Sequence, residues 1–148
     1  MITYRKATEK DIPDLIRLRK TQLSDEGQDI TSMDIDDEMH RYFTDAFASG
    51  RFTEFLAEDE GEIVGTGALI IFDFPPSYAN ATGRRAYIAN MYTAKSHRRR
   101  GIAHEMISRC KQLAFSQGVT QFFLIASTMG KPVYESVGFH ENPTWLTL

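Results

Sequence analysis

Apolar residues recur at three- and four-residue steps in three stretches of the chain, and this spacing predicts three amphipathic helices. The first carries Ile12, Leu15, Ile16 and Leu23, with Thr8 placed to cap it and Pro13 in its first turn. The second carries Ile35, Met39, Tyr42, Phe43 and Phe47 and ends before Gly50; Ser24 to Asp29 breaks the pattern ahead of it as a loop. The third carries Ala103, Met106, Ile107, Cys110, Leu113 and Ala114, with Gly118 where a left-handed residue would stop it.

Between these helices the pattern changes to runs of branched and aromatic residues. Phe52 to Ala57 and Ile63 to Phe72 flank Asp59-Glu60-Gly61 and read as a hairpin. Ile2-Thr3-Tyr4 predicts an edge strand, Ala86 to Thr93 a further strand, and Gln121 to Ala126 another. Asp73 to Arg85 contains Pro75, Pro76, Asn80 and Gly83, so it is expected to be a long exposed connection of the kind that often covers a site. A short helix is expected around Pro132 to Val137, and Thr144 to Leu148 as a last segment pairing at the sheet edge. Strands and helices in this order predict an α+β fold of three layers, a mixed and mostly antiparallel sheet with helices on both faces.

At 148 residues, without an internal repeat or linker, the chain is expected to form a single domain over 1–148. No apolar run approaches the roughly 18 residues of a membrane span, and Met1 to Arg5 lacks a signal-peptide core; the expectation is a soluble, cytoplasmic protein with no membrane partner. Cys110 is the one cysteine and falls on the apolar face of its helix, which excludes a disulfide framework and reads as core. The formal charge of −3 argues against general nucleic-acid binding.

Positive charge is instead concentrated locally, in Ser96-His97-Arg98-Arg99-Arg100-Gly101-Ile102-Ala103. Cations at a helix N-terminus oppose its partial positive charge, so a negative group is expected to sit there. The order strand, basic glycine turn, helix offers unpaired backbone N–H donors to a phosphate or pyrophosphate, and Gly101 and Ala103 leave room for it. The plain alternative is a solvated basic turn. A lysine-terminated P-loop is absent, and Gly65-Thr66-Gly67 is followed by Ile70 where a dinucleotide fingerprint needs its third glycine. His104-Glu105 would open a zinc-protease helix, but Ser108 stands in place of the second histidine, so no metal site is expected. A G-x-S-x-G elbow does not occur.

Arg98-x-x-Gly101-x-Ala103 after the Ile88-to-Thr93 strand resembles the acetyl-coenzyme A signature of the GNAT family, the GCN5-related N-acetyltransferases. Tyr134-Glu135-Ser136-Val137-Gly138-Phe139, after the apolar run Phe122 to Ala126, resembles that family's second motif. The resemblance implies the GNAT fold, whose splayed strands hold coenzyme A. It implies acetyl-CoA as cosubstrate, held by backbone groups of Asn90, Met91, Tyr92 and Thr93 along its pantetheine arm. The pyrophosphate would lie on the loop Arg98, Arg99, Arg100, Gly101, Ile102 and Ala103.

The resemblance also places Tyr134 as the general acid toward the coenzyme sulfur; a packed tyrosine on a short helix is the plain alternative. Acyl transfer to an amine further requires that an ammonium of pKa about 10 lose a proton. Tyr87 stands where histone-modifying relatives carry a glutamate base, and a phenol of ordinary pKa is a poor base at neutral pH. Asp25, Glu26, Asp73 or an ordered water could relay the proton, and Glu26, Asp73 and Tyr87 are the candidate acceptor-site residues. The resulting expectation is an N-acetyltransferase acting on a primary amine of a small molecule or peptide by direct attack in a ternary complex. A non-catalytic acyl-CoA sensor or partner-docking module of the same fold is the alternative. Families of this kind often dimerise, and no residue here demonstrates a homodimer.

Overall fold

The computed structural model describes residues 1–148. Five strands form one sheet in the order β1 (Thr3–Lys6), β2 (Phe52–Asp59), β3 (Glu62–Asp73), β4 (Arg84–Thr93) and β5 (Phe122–Phe123), antiparallel throughout except for the parallel β4–β5 pair. Four helices flank it: α1 (Ile12–Asp25), α2 (Asp36–Ser49), α3 (Ile102–Ser116) and α4 (Lys131–Ser136).

The alternation of β2 divides the core in two. Phe52 and Leu56 turn to one face, where they meet Ile12 and Leu15 of α1 and Phe43 of α2. Phe55 and Ala57 turn to the other, where Ile102, Met106, Ile107 and Cys110 of α3 lie across β3 and β4, and Tyr134 of α4 joins them. The helices therefore cover both faces, and the mixed, largely antiparallel sheet read from the sequence is the one observed. Cys110 is fully buried, and burial pushes its thiol up to about 12, with the charge of Glu54 adding to the effect.

Local chemistry accounts for the boundaries. Thr8 starts a short 3-10 turn: its backbone N–H donates to Asp11 Oδ2 at 2.7 Å, and α1 begins directly after it with Pro13 in its first turn. The same Asp11 carboxylate receives two N–H groups of Arg5 at 2.8 and 2.9 Å, which hold it at about 2. Glu60 and Gly61, at φ of 52° and 85°, make the tight hairpin turn between β2 and β3. Gly50 ends α2 in the left-handed region.

Two expectations at the C-terminal end are corrected. Residues 144–148 form no strand: a turn over 143–144 is held by Asn142 Oδ1, which accepts from the Thr144 N–H and hydroxyl, and Trp145 stacks on Phe123 with centroids 5.6 Å apart. The strand expected to Ala126 pairs only over Phe122 and Phe123, opposite Ala86 and Tyr87, because beyond that point β4 and the following chain diverge.

Candidate active site

Just past the end of the β5 pairing, β4 carries a bulge. Ala68 pairs with Ala89 and Thr66 with Tyr92, so Asn90 and Met91 together face the single residue Gly67. Asn90 takes the left-handed conformation, φ 52°, that asparagine tolerates better than most residues, and the Thr66 hydroxyl fixes its carbonyl with a 2.6 Å hydrogen bond. Beyond Tyr87 and Phe123 β4 and the following chain no longer share a ladder, and a cleft of about 760 Å³ opens between Ile88 to Met91 on one side and Ile125 to Ser127 on the other.

One end of this cleft reaches Ala103 in the first turn of α3. Gly101 precedes that helix at φ 82°, where a side chain would be strained, and no side chain caps it. The N–H groups of the first turn thus have no intrahelical acceptor and are free for an anion. Ile102 contributes only its backbone, since its side chain is buried against β3 within 2.7 Å of where a Cβ on Gly65 would stand.

The three arginines differ in what holds them. Arg98 donates from Nη2 to Asp25 at 3.0 Å and from Nε to the Thr93 carbonyl at 3.1 Å, so it ties the end of α1 to the end of β4. Arg100 lies 3.6 Å from Asp59, which also accepts from His97 at 3.2 Å. Arg99, at φ 64°, has no polar side-chain partner and is the guanidinium left for an incoming anion.

Tyr134 enters the cleft from α4 next to Gly130, where a Cβ would come within 3.2 Å of the tyrosine ring. The ring is 7% exposed and packs edge-on to Phe139, while its hydroxyl makes no hydrogen bond within the protein. Burial, reinforced by the nearby charge of Glu26, pushes the phenol up to about 12. It is therefore protonated at neutral pH and not a base.

The rest of the cleft wall is formed by α1, α2 and β4. Glu26, Glu38, Tyr42 and Tyr87 line it, and Arg19, Gln22 and Glu26 form a chain along α1: Arg19 donates to Gln22 at 3.2 Å and Gln22 to Glu26 at 3.1 Å. Tyr87 packs against Phe123 with centroids 4.9 Å apart. Of the candidate acceptor residues, Glu26 and Tyr87 are brought into the cleft and Asp73 is not, since its carboxylate holds Arg51 at 2.7 Å at the far end of β3. Asn90, Met91 and Ala103 line the cleft, while Tyr92 and Thr93 continue β4 beyond its wall. The connection from 74 to 83 is pinned by Asn80, which donates to the Arg84 carbonyl and to Gln121, and it does not line the cleft.

One acid beside the site escaped the sequence reading. Glu54 is 2% exposed on the core face of β2, and burial pushes its carboxyl up to about 8, opposed by the Asn90 amide and by Arg19. The available signal was its parity, because it alternates in step with Phe52 and Leu56. Gln22, Glu38 and Ser127 carry no comparable signal, as long-range packing alone brings them to the cleft.

The acetyltransferase (GNAT) family model matches residues 16–140. No curated protein matches the chain. The solved structure of a predicted acetyltransferase with acetyl-CoA from Clostridium acetobutylicum is 43% identical and superposes with a TM-score of 0.96, covering 100% of this chain and 96% of that one. A GCN5-related N-acetyltransferase from Ralstonia eutropha, 23% identical with a TM-score of 0.90, covers 100% of this chain and 98% of its own. A glucosamine-6-phosphate N-acetyltransferase from Arabidopsis thaliana, 20% identical with a TM-score of 0.76 over 100% and 97% of the two chains, shares the fold.

Proposed function

Because the chain belongs to the GNAT family of acetyltransferases, we propose that it moves the acetyl group of acetyl-CoA to a primary amine of a small molecule or peptide by direct attack in a ternary complex. The observation that carries this reading is the continuity of one cleft. It joins the uncapped start of α3, the Tyr134 hydroxyl and a wall lined by acids and tyrosines.

Acetyl-CoA supplies the activated thioester, and the residues present fit it. Free N–H groups at Gly101 to His104 and the unpartnered Arg99 suit a diphosphate. Asn90 and Met91 border the narrow part of the cleft, where an acyl arm would run. As the new N–C bond forms and the C–S bond breaks, Tyr134, protonated at neutral pH, gives its Oη proton to the departing sulfur.

The acceptor enters from the α1–α2 side. Glu26 and Glu38 favour a cationic amine there, and the rings of Tyr42 and Tyr87 favour an apolar or aromatic body attached to it. Of these two carboxylates Glu26, whose charge reaches Tyr134, is the one placed to take up the ammonium proton.

The test is thiol release from acetyl-CoA by the purified protein with polyamines, aminoglycosides, amino acids, arylalkylamines and peptides presented in turn. Acceptor-dependent release from one of these classes is expected. Tight acetyl-CoA binding without release from any of them would instead support a non-catalytic sensor or docking module.

A further inference from the structure

Two acids are buried, Asp11 and Glu54; Asp11 is paired with Arg5, while Glu54 has no cation partner and acyl transfer gives it no role. Its side chain lies beneath the cleft on the α1–α2 face of β2, and the hydrogen bond it receives comes from Asn90 Nδ2 at 3.5 Å, the outer edge of such contacts. The groups that face it can be named element by element. Arg19 of α1 and Tyr42 of α2 feel its charge, as does Cys110 of α3 across the sheet; β3 sets Ala68 opposite it, and the chain after β1 reaches only its backbone carbonyl, through the Ala7 N–H. No cation touches the carboxyl.

Asn90 connects this buried group to the cleft, whose wall it forms. Its backbone is fixed by the bulge and by the Thr66 hydroxyl, so its side-chain amide is the part free to turn. We propose that Glu54 is a positioning residue whose protonation state selects which end of the Asn90 amide is presented to the acceptor side of the cleft. An ionised Glu54 can only accept, so it takes the Asn90 NH2 and leaves the amide oxygen for the N–H groups of an acceptor amine. A protonated Glu54 can donate to that oxygen, and the amide then turns its NH2 toward the cleft, where it opposes an ammonium. In the structure Nδ2 is the atom turned to Glu54, the orientation that an ionised carboxylate requires and that the acceptor oxygen of a neutral carboxyl also permits. The burial that pushes Glu54 to about 8 sets the exchange on the alkaline side of neutrality.

The acceptor part of this inference rests on the acetyl-transfer reading; the Glu54–Asn90 coupling does not. NMR of the full chain, with no ligand added, follows the Glu54 carboxyl carbon and the Asn90 side-chain amide between pH about 6 and 10. Both signals are expected to titrate together with a midpoint near 8, and the Asn90 titration is expected to vanish in Glu54→Gln. An Asn90 amide that stays flat in the wild type, or that titrates unchanged in the variant, overturns the proposal without any assay of activity. With the amine that gives most thiol release, Glu54→Gln should raise KM for that amine about tenfold above pH about 8, where the wild-type carboxyl is ionised, the worth of one hydrogen bond to a charged group, and abolish the pH dependence of KM near 8, with acetyl-CoA affinity unchanged. An unchanged KM and pH profile would remove the acceptor role. Absence of transfer to every amine, with the co-titration intact, would refute the acetyl-transfer reading and leave the coupling standing.

Discussion

Tyr134 is held by a helix of only six residues, in a buried position that pushes the phenol above its ordinary range. Burial disfavours the phenolate, so the proton is retained at neutral pH, and in the proposed reaction the departing sulfur would take it. Replacing Tyr134 with Phe should lower kcat about 100-fold, the scale of a lost general acid, and leave the acetyl-CoA dissociation constant unchanged. Thiol release and calorimetry on the same preparation check both halves. At Gly101 a Cβ would meet open space, so strain at φ 82° is the only steric cost and the charge of a new side chain decides the outcome. Gly101→Glu places a carboxylate among the free N–H groups, and titration with acetyl-CoA should show no binding. The basic turn before α3 and the tyrosine of α4 could be singled out in the sequence because their motifs are local in the chain. Asp25, Glu26 and Asp73 were not separable, since all three are carboxylates at element ends; only their distant partners sort them, Arg98 holding Asp25 and Arg51 holding Asp73.

The cleft itself arises from strand β4. Its brief pairing with β5 leaves the divergence that coenzyme and acceptor would share, and its bulge at Asn90 and Met91 lies just beyond that pairing. Neither feature is visible in hydrophobic pattern: Phe122 to Ala126 has the composition of an unbroken strand, and the bulge leaves only an asparagine in an otherwise regular run. The hairpin of β2 and β3 was legible because Glu60-Gly61 demands a tight turn. Gly65 and Gly67, which fail as a phosphate fingerprint, are explained by packing: α3 lies so close to β3 that a Cβ on Gly67 would stand 2.9 Å from Met106 Cβ. Gly67→Ala should therefore destabilise the protein by about 1–3 kcal/mol through overpacking, read as a lower urea midpoint. A midpoint at or above that of the wild type would show that α3 can yield.

The molecule as a whole is a sheet with an apolar core on each face, and a buried acid lies within one of them. Glu54 is ionised when unfolded above its ordinary 4.5 and neutral when folded until about 8, so the folded state binds the extra proton in that window. Stability should fall as pH rises from about 5 to about 8, and the fall should be shallower in Glu54→Gln. Asp11 acts with the opposite sign and in a different window: held at about 2 by Arg5, it supports folding above its ordinary 3.8 and loses that contribution as pH falls through 2. Urea unfolding across this pH range separates the two, and equal slopes for wild type and variant would contradict the buried-acid account. The layered fold was legible because its helices and strands are strongly periodic. The buried acid's consequences were hidden until α1 and α2 were seen to close over it.

The most direct test of the central claim is a crystal structure of the protein with acetyl-CoA. The account predicts the diphosphate on the N–H groups at the start of α3 and the acyl arm between β4 and the chain after β5. It places the sulfur within about 3.5 Å of Tyr134 Oη, within reach for proton donation to sulfur. A diphosphate bound away from α3, or a sulfur beyond reach of Tyr134, would contradict it.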